Sequence, residues 1–461
     1  DENDVIRFTG SDVSSLQEMH FPGGVATFCG DPVFHDPDHN EVKQLLSRQA
    51  IGQVIRKVDG FYFLIALYDK DQRVIITSSL FSILPVYYFK SREELVISSS
   101  FDLLLKSAGN ENRSFDKQYY LEKALFNYPL FDRTPVSGIN TLPSNSLMEY
   151  KDKAFVIKQH TFFSELFISD PEPWKKATER LAELFINCAS DFIPTQKAVV
   201  TLTGGFDSRT VLGVALSRNG VSQTYSYGSP GEGDIVTASA ISQKLGIRYT
   251  PVILDEEYSV KEFWRGALSF VRTSHGLGNL SRAHYCYALD TGLKDARYLL
   301  SGNFGSELLR SMKVPGVVTS GSLFDMFRYE TPEEITSALL LNPALNYLNR
   351  DLINETIISL VNEIIIYKDS LPGRLTMNQR FYSYLFGEVF RKYFGPEIMV
   401  QRHRLKHRAP FLCYSFIEAI LLTGLAGANS RFLESNPLKR YQGQMLYATI
   451  LKKISPWLNS F

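Results

Sequence analysis

The spacing of apolar and polar positions changes character along this chain. Up to about residue 110, short apolar runs alternate with polar positions and turn residues, which predicts a β-rich segment. Gly23–Phe34 (GGVATFCGDPVF) reads as a strand and a turn. Asp59–Ser79 reads as two strands joined by a hairpin at Asp69–Gln72, and Pro85–Ser100 reads as a further hairpin. From Asp116 to about Phe163 the pattern is mixed, with a helix near Tyr119–Leu125 and strands around Ser146–Val156. Near Pro171 the period lengthens, and Trp174–Cys188 is an amphipathic helix. Strands and helices then alternate: AVVTLT, a helix from Ser208, QTYSYG, a helix from Asp234, and RYTPVIL. That βαβ rhythm predicts an open parallel sheet. Arg297–Gly302 (RYLLSG) is a further strand, and from about Thr331 the chain reads as mainly helical. The expected organisation is a β-rich α+β domain over 1–160 and an α/β domain with a helical C-terminal part over 161–461.

Composition narrows the classes. The 461 residues are 44% hydrophobic, and 49 basic residues balance 49 acidic ones. A net charge of zero argues against bulk nucleic-acid binding, which needs a basic excess. No apolar run is long enough for a membrane span. The four cysteines, Cys29, Cys188, Cys286 and Cys413, show no CxxC and no zinc spacing. Reduced, mostly buried thiols and a cytoplasmic setting are expected. There is no signal peptide, and a first residue of Asp1 rather than methionine leaves room for residues upstream.

The candidate chemistry lies in VVTLTGGFDSRTVLGVAL (Val199–Leu216). A buried strand delivers Gly204 and Gly205 to a turn, and a helix follows. Glycine tolerates positive φ and lets a ligand approach the backbone. The helix start offers free N–H groups and a positive dipole end to an anion. Asp207 suits a magnesium ion held on phosphate, and Ser208 suits a phosphate oxygen. An ordinary strand-to-helix turn with an N-cap is the alternative. The pattern is neither GxxxxGK[ST] nor GxGxxG.

The turn resembles the SGGxDS pyrophosphate loop of N-type ATP pyrophosphatases, with Thr203 at the first serine. Thr224–Tyr249, Ser301–Leu308 (SGNFGSEL, against SGxGxDE) and Arg408–Leu412 (RAPFL, against RxPFLD) resemble segments of the asparagine synthetase family. Asp59–Phe89 and Ser98–Leu105 resemble the later half of its glutaminase domain. The resemblance implies an N-terminal glutaminase-like (Ntn-type) domain and an adenine-nucleotide α-hydrolase-like synthetase domain. It implies ATP and Mg2+, an acyl-adenylate, loss of pyrophosphate and attack by an amine. Thr203, Gly204, Gly205, Asp207 and Ser208 would then bind pyrophosphate, with Asp207 on the metal. Tyr225–Tyr227 would lie at the adenine, Ser301 and Gly302 would flank the nucleotide, and Glu307 would be the remaining acid. The partners would be a small-molecule, sugar-acid or peptide carboxylate and an amine.

Several positions depart from the family. Residue 1 is Asp where the glutaminase has its nucleophilic cysteine, and Ser78-Ser79 replace an Arg-Asp pair. No glutamine hydrolysis is expected; Cys29 as nucleophile is the minor alternative. Asn303 and Ser306 stand at two acidic positions, and Gln444 falls where the family has a lysine, with Lys439, Lys452 and Lys453 nearby. Arg209 and Arg310 are placed to clamp phosphate and offset the lost charges. His403 and His407, spaced i, i+4 in QRHRLKHRAPF, suggest zinc less than a basic surface for an anion. His284, Tyr285 and Tyr287 are candidates to line a substrate pocket, and Phe390–Met399 to border the acceptor. The leading reading is an ATP-dependent amide-forming ligase without glutaminase activity. The rival is a catalytically silent relative that binds a nucleotide or a partner protein; thiolation or nucleotide hydrolysis comes third.

Overall fold

The computed structural model describes residues 15–90, 95–107, 114–152, 154–313, 315 and 318–460. Nine strands form its N-terminal part: β1 (Ser15–Phe21), β2 (Gly24–Phe34), β3 (Val58–Tyr68), β4 (Arg73–Ser78), β5 (Tyr87–Lys90), β6 (Leu95–Ser98), β7 (Ile139–Thr141), β8 (Ser146–Lys151) and β9 (Ala154–Gln159). Six make an antiparallel sheet in the order β1-β2-β3-β4-β8-β9, and three make a smaller sheet, β6-β5-β7. The Asp69–Gln72 hairpin is present, pairing Tyr68 with Arg73. GGVATFCGDPVF is a turn and a strand: Gly23, at φ 94°, lies in the turn after β1, and β2 then runs unbroken and pairs along its whole length with β3.

Two helices, Asn40–Ser47 and Ile51–Lys57, pack on this sheet. They were not expected. Each is about two turns long, too short for a 3.6-residue period to stand out. Val42, Leu45, Leu46, Ile51, Val54 and Ile55 are their buried face.

The C-terminal part holds β10 (Ala198–Thr201), β11 (Val221–Gly228), β12 (Arg248–Ile253), β13 (Tyr298–Leu300) and β14 (Lys406–Arg408). They form a parallel sheet in the order β12-β11-β10-β13-β14. The first connections move outward from β10 on one side; β13 and β14 fill the other. β14 is a short strand within the mainly helical stretch that follows Thr331. Pro410 disfavours helical backbone at Ala409, and the freed segment pairs with β13.

Charged contacts and one continuous apolar core join the two parts. Arg408 reaches Asp31 of β2 through Nε (2.6 Å) and Nη2 (3.1 Å), and Lys406 reaches it at 3.6 Å. Arg404 pairs with Asp290 at 2.7 Å. Lys406 and Arg408 are therefore spent inside the fold, while Arg404 stays exposed and paired with Asp290 within the C-terminal part. His403 caps a helix and His407 lies in β14, so the two share no helical face. Among the described residues, no helix is long and apolar enough to cross a membrane.

Candidate active site

In an open parallel sheet, ligands bind beyond the carboxyl ends of strands where the winding reverses. Here that place lies between β10 and β13. The Thr203–Gly205 turn leaves β10 there and enters the helix Phe206–Ser217; the Ser301–Phe304 turn leaves β13 and enters the helix Gly305–Leu309. The two loops touch. A Cβ on Gly302 would lie 2.6 Å from the Asp207 carbonyl carbon and 2.7 Å from the Ser208 nitrogen. One on Gly305 would meet Asp207 Oδ1 at 2.6 Å.

Gly204 and Gly205 serve differently from expectation. Neither has positive φ. A Cβ on either would meet nothing closer than 3.3 Å, so their small size keeps open space before the turn. Phe304 instead takes the left-handed conformation, at φ 72°, where the SGxGxDE pattern has its second glycine. Its fully buried ring packs on Phe390 and Phe394 at 4.9 and 4.3 Å.

The turn binds itself. Thr203 N–H donates to Ser208 Oγ (3.0 Å), and Gly205 N–H donates to Thr203 Oγ1 (3.1 Å). Gly204 N–H donates to Asp234 Oδ1 at 2.9 Å, so a carboxylate from the next helix already sits at the anion position. Ser208 is buried, and its hydroxyl faces the Thr203 and Gly205 carbonyls.

Asp207 is the centre of the site. Ser306 Oγ donates to its Oδ2 at 2.7 Å, and the Tyr447 hydroxyl donates to its Oδ1. Burial holds the Asp207 carboxyl above the usual range against these bonds. Burial and the neighbouring Asp207 charge push Glu307 up to about 7. Arg310 lowers both from close by, and its own Nε is buried without a partner. Arg209 stays beside the turn but away from the acids: its Nε donates to Gly205 O at 3.4 Å, its Nη1 donates to Leu458 O at 2.9 Å and its guanidinium stacks on Phe206 at 4.4 Å. Arg310 joins the acids; Arg209 braces the C-terminal turn.

A second cluster adjoins the first. Asn303 Nδ2 donates to Glu397 Oε1 at 2.8 Å, and Arg282 pairs with the same fully buried carboxylate. The arginine also stacks on Tyr285 and Tyr393 at 5.1 and 5.0 Å. Tyr227 stacks on His284 at 4.1 Å. Tyr225 is buried and its hydroxyl has no partner, so its ring belongs to the core beneath. Tyr287 packs apart, on Tyr258. Beyond Glu397 lies a cavity of about 110 Å³ lined by Asn127, Tyr128, Asn279, Arg282, Lys392 and Glu397, among others. Burial brings Lys392 down to about 7.

Other expected residues fall outside. Ser301 Oγ is spent on His407 Nε2 at 2.7 Å. Gln444 opens the helix Gln444–Ile454, which reaches the site through Tyr447. Lys439 and Lys452 are exposed, and Lys453 pairs with Glu179 and Glu183. Asp1 lies outside the described residues. Burial pushes the Cys29 thiol up to about 11, the reverse of an activated nucleophile.

Tyr447, Asp234 and Arg282 escaped sequence reasoning. Lys392 and Glu397 lie within the Phe390–Met399 segment expected to border the acceptor, and only the fold aims Glu397 at Asn303.

No family model matches the chain, and no curated protein matches it. Among solved structures it is similar to glutamine phosphoribosylpyrophosphate amidotransferase from B. subtilis complexed with ADP and GMP, at 9% identity over 70% of this chain and 74% of that one. The TM-score is 0.18, an overlap too low to bear on fold or function.

Proposed function

We propose that the chain is an ATP-dependent amide-forming ligase of the asparagine synthetase type. Its N-terminal part would be a glutaminase-like (Ntn-type) scaffold without glutamine hydrolysis. Its parallel-sheet part would be the adenine-nucleotide α-hydrolase-like synthetase. One observation carries the reading. Asp207, Glu307 and Arg310 gather at the winding reversal, with an open glycine turn on one side. On the other side Asn303 links through Glu397 to a cavity bearing Arg282 and Lys392.

The parts divide the work in this proposal. A phosphate entering the turn displaces Asp234 from the Gly204 N–H, and Arg310 meets its charge. Two buried acids side by side suit a magnesium ion arriving on the nucleotide, held by Asp207 with Glu307 at hand. When bound, that ion would neutralise charge developing on pyrophosphate. Arg282 would hold the acid substrate, whose carboxyl carbon, activated as the acyl-adenylate, is attacked by the amine as AMP leaves. The amine sheds a proton as the amide forms, and Lys392, near 7, and Glu397 face the cavity where it would be taken up.

The test is isotope exchange between pyrophosphate and ATP across amino acids, sugar acids and short peptides. The proposal predicts exchange that needs one class of acid and falls at least about a hundredfold in Asp207→Asn, while Glu397→Gln lowers amide formation rather than exchange. ATP binding with no exchange for any acid would contradict it.

A second reading, the catalytically silent nucleotide- or partner-binding protein, has its own support. Gly204 N–H, both oxygens of Asp207 and the Ser301 hydroxyl are all satisfied from within the chain. A site that satisfies itself asks a ligand to compete for every contact. Nucleotide binding without exchange would select its nucleotide-binding form, and absence of nucleotide binding its partner-binding form.

A further inference from the structure

We propose that His35, Asp59, Cys188 and Cys413 form a zinc site where the two parts of the chain meet. The four residues come from segments far apart. His35 follows β2, and Asp59 lies in β3. Cys188 is near the end of the helix Trp174–Asp191, and Cys413 precedes the helix Tyr414–Leu421. One ligand atom from each of His35, Asp59 and Cys413 lies within 4.8 Å of the other two. The Cys188 and Cys413 thiols both touch Ser415 Oγ, at 3.2 and 3.3 Å.

Zinc with Zn–S near 2.3 Å and Zn–N near 2.0 Å spaces tetrahedral ligands by about 3.3–3.8 Å. Gathering His35, Asp59 and Cys413 therefore asks for shifts of about 1 Å, within reach of side-chain rotation, and Cys188, beside Cys413 across Ser415, is the fourth ligand. Two thiols and an imidazole favour zinc over magnesium or calcium, which take oxygen.

The surroundings suit a metal. His35 Nε2 faces Asp59 Oδ2 at 2.7 Å, and His35 Nδ1 faces Asp191 Oδ2 at 2.6 Å. A carboxylate on the far nitrogen is the usual support of a zinc-bound histidine. Asp59 Oδ1 already accepts the Tyr414 N–H at 3.1 Å, which leaves Oδ2 for the metal. His35 and Asp191 are 31% and 44% exposed, which gives solvent a way in, while Asp59 and Cys413 are buried.

Loading balances simply. The two thiols release their protons, and His35 gives up the proton on Nε2 that it shares with Asp59. Two thiolates, one carboxylate and a neutral imidazole then hold Zn2+. No oxidant or reductant is involved. The metal would tie β2 and β3 to two helices of the C-terminal part.

The experiment is a cobalt(II) titration of the reduced full chain, read by absorbance, followed by displacement with zinc. The expected result is one equivalent of cobalt, with a thiolate charge-transfer band and intense tetrahedral ligand-field bands. Cys413→Ser should abolish the charge-transfer band or shrink it, and His35→Gln, at the exposed rim, should weaken binding at least about tenfold. Cys29→Ser and Cys286→Ser should change nothing. If a Cys413 variant fails to fold, the wild-type spectrum and His35→Gln still decide. No thiolate band in the reduced wild type, or binding unchanged in His35→Gln, would overturn the proposal.

Discussion

Phe304 shows how far a single residue can depart from its motif and still serve the fold. Its φ of 72° costs about 1–2 kcal/mol for a side chain with a Cβ. Burying the ring against Phe390 and Phe394 offsets this, since deleting a core phenylalanine costs about 3–5 kcal/mol. Phe304→Gly, which restores the motif, should therefore destabilise the protein by about 2–3 kcal/mol in denaturant unfolding. A variant as stable as the parent would mean that the strain outweighs the packing. At this scale Asp207 was legible because its place after two glycines before a helix has a chemical meaning. Its partners were not. Tyr447 lies 240 residues away, and Ser306 read only as a lost acid. Arg209 was legible as a cation beside the turn, yet its direction was decided by the Leu458 carbonyl, which no local pattern reveals.

Among elements, the two loops at the winding reversal make contrasting demands on glycine. A Cβ at Gly302 would run into the backbone of Asp207 and Ser208, which cannot yield without moving the helix Phe206–Ser217. A Cβ at Gly204 would meet only Asp234 Oδ1, at 3.4 Å, and Thr237. Gly302→Ala should thus cost about 1–3 kcal/mol of stability. Gly204→Ala should stay within about 0.5 kcal/mol, its effect falling on ligand approach instead. Thermal and denaturant unfolding of the pair would check this, and equal losses would show that the loops do not touch as described. The Asp69–Gln72 hairpin and the βαβ run from β10 to β12 were readable because alternation and turn residues are local signals. The helices Asn40–Ser47 and Ile51–Lys57 were too short to show a period, and β14 exists only because β13 offers it an edge.

The whole molecule buries several histidines in neutral form. Burial brings His160, His275 and His284 to about 4 and His407 to about 3, against an ordinary value of 6.5. Below pH 6.5 the unfolded chain takes up protons that the folded chain refuses. Stability should therefore fall as pH drops from about 6.5 to about 4, each buried histidine acting in that direction and the raised Glu122 and Glu307 carboxyls opposing part of it. Thermal unfolding across that range checks the slope; a flat profile would mean the histidines titrate in place. The His35–Asp59–Cys188–Cys413 cluster also belongs to this scale. Its ligands show no spacing in the chain and meet only when the two sheets dock. The central claim is that the glycine turn and Asp207 form a working nucleotide site, and calorimetric titration of ATP with and without magnesium tests it most directly. The account predicts binding that needs magnesium in the parent protein and is weakened at least about tenfold in Asp207→Ala. No heat of binding at millimolar ATP, or equal binding in the variant, would contradict it.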